Sequence, residues 1–100
     1  MPAVAREGDT LSTGHACTAT TTLDTPTQST VFANNILICR VGDPTVSHPF
    51  PPEPGCAPHV ANINAGSSSV FVVGSAVGRI GDSADAGAIT SGSPDVFAGG

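Results

Sequence analysis

Three histidines and three cysteines are the residues of this 100-residue chain with the widest chemistry. His15 stands in "STGHAC", two residues before Cys17. His48 opens "HPFPPEPGCAPH", a stretch that holds Cys56 and closes on His59, in C-x-x-H spacing. Imidazole nitrogen and thiolate sulfur are the donors that tetrahedral Zn²⁺ takes, with iron as the alternative ion. His15, His48 and His59 are the expected imidazole ligands. Cys56, which shares a loop with His59, is the expected thiolate, and Cys17 is its rival. A closed site of four protein donors is structural, and its binding free energy becomes folding free energy in a domain with little core. A metalloenzyme would need an open coordination position and a nearby general base. Glu53 is the only acidic residue close to these loops apart from the aspartates of the repeat described next, so the expectation is no enzyme.

The elements that must bring these loops together form an internal repeat. Residues 29–43, "STVFANNILICRVGD", match residues 68–82, "SSVFVVGSAVGRIGD", at a constant offset of 39. A third copy is split between the ends: "SPDVFAGG" supplies its head and "PAVAREGD" its tail. The sequence therefore predicts that the termini pair side by side and that three units surround a pseudo-threefold axis. In each unit a strand with Val-Phe leads into Asn-Asn, Val-Gly or Gly-Gly, dipeptides that suit a hairpin turn. A second strand then ends at Arg-x-Gly-Asp, and Gly-Asp opens a loop. The chain's only three basic residues, Arg6, Arg40 and Arg79, all stand in this tetrapeptide. Each is expected to bridge its own Asp or a neighbouring unit. The loops after Asp9, Asp43 and Asp82 leave from one end, which gathers the histidines near the axis. The third loop, "SADAGAI", offers nothing comparable near Ala86. Cys39 aligns with Ala5 and Gly78, so it is expected in the core. The Pro-rich segment 49–58 reads as a stiff wrap in which Phe50 packs on the body. The Thr-rich stretch 18–30 reads as a strand and a turn, broken at Pro26.

Composition bounds the function. One hundred residues allow one domain, residues 1–100. A net charge of −5 argues against a nucleic-acid surface. Val, Ile, Ala and Thr favour a compact all-β fold over disorder. The start "MPAVAREGD" lacks the basic and apolar regions of a signal peptide, so synthesis in the cytoplasm is expected. An odd number of cysteines excludes a complete disulfide framework, and Cys beside His reads as metal chemistry.

"PAVAREGD", "VFANNILICRVGD", "VFVVGSAVGRIGD" and "GSPDVFAGG" together resemble the PAAR-repeat family over essentially the whole chain. The resemblance implies a small cone of short β-hairpins with a metal-stabilised apex. It also implies a role: capping the trimeric β-helical spike of a contractile injection machine, either a phage tail baseplate or a type VI secretion system. One chain would sit on each trimer and make transient contact with the target outer membrane during piercing. The place of action would be the virion tail tip, or outside the cell after secretion with the spike. An adaptor for a separate effector is the alternative. The family's metal sites use three His and one Cys, which maps onto His15, His48 and His59. Many relatives carry the Cys in the third loop, near Ala86, and this chain does not, so Cys56 or Cys17 would have to serve.

Overall fold

A computed structural model describes all residues 1–100. It is all-β and elongated, with extents of 41 × 23 × 22 Å. Ten short strands pair into five antiparallel hairpins: β1 (Thr10–His15) with β2 (Thr18–Thr22), β3 (Phe32–Ala33) with β4 (Ile36–Leu37), β5 (His48–Pro49) with β6 (Pro58–His59), β7 (Phe71–Val72) with β8 (Ser75–Ala76), and β9 (Ser83–Ala84) with β10 (Gly87–Ala88). The β3–β4 and β7–β8 turns are Asn34-Asn35 and Val73-Gly74, all at positive φ, as two-residue hairpin turns of this hand require.

The termini pair as the repeat predicts. Val4 N–H donates to Val96 O, Ala98 N–H donates to Pro2 O, and Ala3 bridges Phe97. Equivalent bonds run from Ile38 N–H to Val31 O and from Val77 N–H to Val70 O. The three units then close on one another. Ala5 N–H donates to Gly78 O, Gly78 N–H to Cys39 O, and Cys39 N–H to Ala5 O, at 2.8, 3.0 and 3.0 Å. This is a triangle of backbone hydrogen bonds with no free member, and it explains why these positions hold Ala, Cys and Gly. Only small side chains fit where three strands meet on an axis. Two small cores flank the triangle. Val4, Ala33, Ile38, Val72, Val77 and Ala98 lie on the hairpin side; Leu11, Leu23, Ile63, Ala84 and Ile89 join Ala5 and Cys39 in the other.

Each arginine performs two tasks. It pairs with the Asp three residues on, as Arg6–Asp9, Arg40–Asp43 and Arg79–Asp82. It also reaches the hairpin turn of the next unit. Arg6 donates to Asn34 Oδ1 at 3.1 Å, Arg40 to Val73 O at 3.0 Å, and Arg79 to Gly99 O at 2.9 Å. The arginines thus form a belt that locks every unit to its neighbour. A second belt was not legible in the sequence because its residue types differ. Gln28, Ser67 and Ser93, each three residues before its unit's Val, are buried and accept from Val31, Val70 and Val96 N–H. Ser67→Ala removes both bonds that its hydroxyl accepts, from Ser69 and Val70 N–H. It is expected to cost about 1 kcal/mol, because two N–H groups lose their acceptor, and a urea midpoint measures this directly.

Candidate metal centre

Three loops leave the body at the end opposite the β3–β4 and β7–β8 turns, and their side chains meet. His15 ends β1, His48 opens β5 and His59 closes β6, directly across from His48 in the register. The fourth group is Asp85, in the β9–β10 turn. Its Oδ2 lies 2.8 Å from His15 Nε2, 2.8 Å from His48 Nε2 and 3.2 Å from His59 Nε2. The two nitrogens of His15 and His48 are 3.3 Å apart. These four side chains could hold a metal ion.

Their chemistry fits one. His15 Nδ1 lies 2.8 Å from Ala16 O, and His48 Nδ1 lies 2.9 Å from Val46 O. A carbonyl only accepts, so both Nδ1 atoms carry a proton, which leaves Nε2 of each ring as the atom that would coordinate an ion. With Nε2 deprotonated, nitrogen lone pairs would face a carboxylate oxygen with no hydrogen between them. A cation resolves that repulsion, and backbone acceptance of the far N–H is the usual way a metal-binding imidazole is oriented. The 3.3 Å between the two nitrogens is the edge, about 3.3–3.4 Å, of a tetrahedron with zinc–nitrogen bonds of about 2.0–2.1 Å, whereas the 2.8 Å from each to Asp85 Oδ2 is shorter than such an edge.

The local sequence positions each donor. Asp85 has a φ of 55°, tolerable for Asp in a turn. Its N–H donates to Asn62 O, and its carbonyl accepts from Asn64 Nδ2 at 2.8 Å, which fixes the carboxylate's direction. β1 approaches this turn so closely that a Cβ on Gly14 would stand 2.2 Å from Ala86 O, and Gly14 also has a φ of 72°. Gly14→Ala is therefore expected to push the β9–β10 turn off His15 and abolish metal retention, read as metal per chain by emission spectrometry. Asn64→Ala, which frees the Asp85 carbonyl without a clash, is expected to weaken retention by about tenfold.

The histidines converge, but the fourth donor differs from the expectation. Cys56 is joined to Cys17 in a disulfide. Neither offers a thiolate, so the expected Cys56 ligand and its rival Cys17 are both corrected. One disulfide and one free thiol account for the odd count, and Cys17, Glu53 and Cys56 form a second group whose possible ligand atoms lie within 4.8 Å of one another. The expectation that the third loop offers nothing near Ala86 is likewise overturned by its neighbour Asp85. The signal was present, since Asp85 follows Asp82 by three residues where His48 and His15 follow their aspartates by five and six. Cys39 is fully buried, as its alignment implied. Phe50 packs on the histidines, lying against His59 with centroids 4.2 Å apart and edge-on to His15 at 4.8 Å. No protein-family model matches the chain, and no curated protein matches it.

Proposed function

We propose that the chain is the metal-stabilised tip of a contractile injection machine, a PAAR-like cap seated one chain to one trimeric β-helical spike. The observation that carries this reading is the exposure of Phe32, Phe71 and Phe97 at the end opposite the histidines. They occupy equivalent positions in the three units and are 53, 60 and 49% exposed. A folded monomer gains nothing by presenting three equivalent aromatic rings to water. A trimer with one apolar recess per subunit accepts all three at once, because one chain with internal threefold symmetry matches three identical chains. Val73 supports the same reading. It is a β-branched residue at a φ of 48° in a turn where its counterpart is Asn34, and it too is exposed. Such a residue is poorly suited to the turn but well suited to an apolar contact.

In this reading the function is mechanical. The arginine belt and the backbone triangle resist shear between units. An ion at the apex, most simply Zn²⁺, ties β1, the β5–β6 hairpin and the β9–β10 turn at a point too narrow for a hydrophobic core. Force delivered through the spike then falls on a small, stiff end that enters the outer membrane.

Mixing the chain with a trimeric spike fragment and measuring the mass of the complex by light scattering tests the cap. One chain per trimer is expected; three per trimer rules the geometry out. Replacing Phe32, Phe71 and Phe97 together by Ser is expected to weaken binding by at least about a hundredfold, with the far-ultraviolet circular dichroism of the free chain unchanged.

A further inference from the structure

We propose that the Cys17–Cys56 disulfide is a redox latch on the apex, closing the loop that covers the metal ligands; this rests on the reading of His15, His48, His59 and Asp85 as those ligands. Residues 50–57 connect β5 to β6, the strands that carry His48 and His59. Phe50, at the start of the loop, covers His59 and touches His15. Cys56, near its end, is bonded to Cys17, two residues past His15. The bond thus completes a short bridge from His15 through Ala16, Cys17, Cys56, Ala57 and Pro58 to His59. β1 and β6 belong to different hairpins, so this bridge is the covalent tie between two ligand-bearing strands that do not pair. His59 is the ligand that solvent reaches first: its side chain is 25% exposed, against 8% for His15 and 3% for His48. The latch therefore restrains the most exposed donor.

Both cysteines are partly exposed, and Glu53, Pro54 and Gly55 beside Cys56 are exposed. A dithiol reductant can attack. Its thiolate displaces one sulfur and forms a mixed disulfide; its second thiol then releases the other. Two electrons pass to the chain, the reductant leaves as a disulfide, and Cys17 and Cys56 become thiols. The third thiol, Cys39, is fully buried in the core, so no rearranged pairing competes. After reduction the loop is held by Phe50 stacking, the Phe50 N–H to Ala57 O bond and the Thr18 hydroxyl on Pro49 O. His59 then leaves the ion more readily. The apex exchanges metal in a reducing compartment and is locked in an oxidising one.

The test uses the full chain loaded with zinc, and follows release to a chromogenic chelator at neutral pH before and after treatment with a phosphine. Alkylation and mass measurement verify that Cys17 and Cys56 were reduced. Release is expected to become at least tenfold faster on reduction. The Cys17→Ser/Cys56→Ser variant is expected to release at the fast rate with or without phosphine; should it fail to fold, the wild-type arm decides alone. Equal rates for oxidised and reduced wild type overturn the latch and leave the metal reading intact. An equal acceleration by phosphine in the double variant also overturns it. An oxidised chain that takes up no zinc sinks the metal reading, and the latch with it.

Discussion

Asp43→Ala is expected to destabilise the chain by about 3–5 kcal/mol, the largest effect of any single substitution in the arginine belt. Asp43 is fully buried. Its carboxylate accepts from Thr27 N–H at 2.9 Å, from the Thr27 hydroxyl at 2.6 Å and from Arg40 N–H at 2.8 Å, and it pairs with the Arg40 guanidinium. Removing it leaves the buried Arg40 cation without its counter-charge and takes the acceptor from the Arg40 and Thr27 N–H groups. Asp82→Ala is the control. The Arg79–Asp82 pair is more exposed, and its loss is expected to cost about 1 kcal/mol. Urea midpoints at pH 7 separate the two. Burial pushes the Asp43 carboxyl up, but hydrogen bonds from Thr27 and Arg40 outweigh it and hold the carboxyl below its ordinary value of 3.8. The folded value lies below the unfolded one, so the contribution of Asp43 is complete above the ordinary value. It is lost as pH falls below 3.8 toward the folded value. Wild type is therefore expected to lose more stability than Asp43→Ala between pH 7 and pH 3.

Metal withdrawal carries the second large effect. An ion present at about a thousand times its dissociation constant stabilises the folded chain by about 4 kcal/mol. For a domain of this size that is on the order of 20 °C in melting temperature. Chelation of zinc-loaded chain is expected to lower the midpoint by that much, and His48→Ala is expected to melt at the chelated value with or without zinc. His48 is the informative position. It is the least exposed of the three imidazoles, and its ring stacks almost parallel to that of His15, 5.3 Å away.

The frame of the fold was legible because its turns repeat. Arg-x-Gly-Asp marks the end of each second strand three times, and the register so obtained places Ala5, Cys39 and Gly78 at one corner each of the backbone triangle. The split third unit could be read for the same reason. The apex was legible only in part. Histidines are rare enough that three of them in converging loops stand out, whereas Asp85 is one of eight acidic residues and sits at a different distance from its Gly-Asp. What marks it is steric: Gly14 and Gly87 allow β1 and the β9–β10 turn to touch, and a Cβ on Gly87 would lie 2.1 Å from Ser12 O. Contact between strands distant in sequence leaves no spacing to read. The pairing of Cys17 with Cys56 was hidden likewise, because connectivity depends on which loops meet and not on how far apart the cysteines lie in the chain.

Native mass spectrometry of the purified chain decides whether the apex holds an ion. A monomer carrying one tightly held divalent ion is expected, the ion being lost from His15→Ala, His48→Ala and Asp85→Ala and kept in Cys39→Ser. A wild-type chain that carries no ion after metal loading, or an ion that survives in Asp85→Ala and the histidine variants alike, would contradict it.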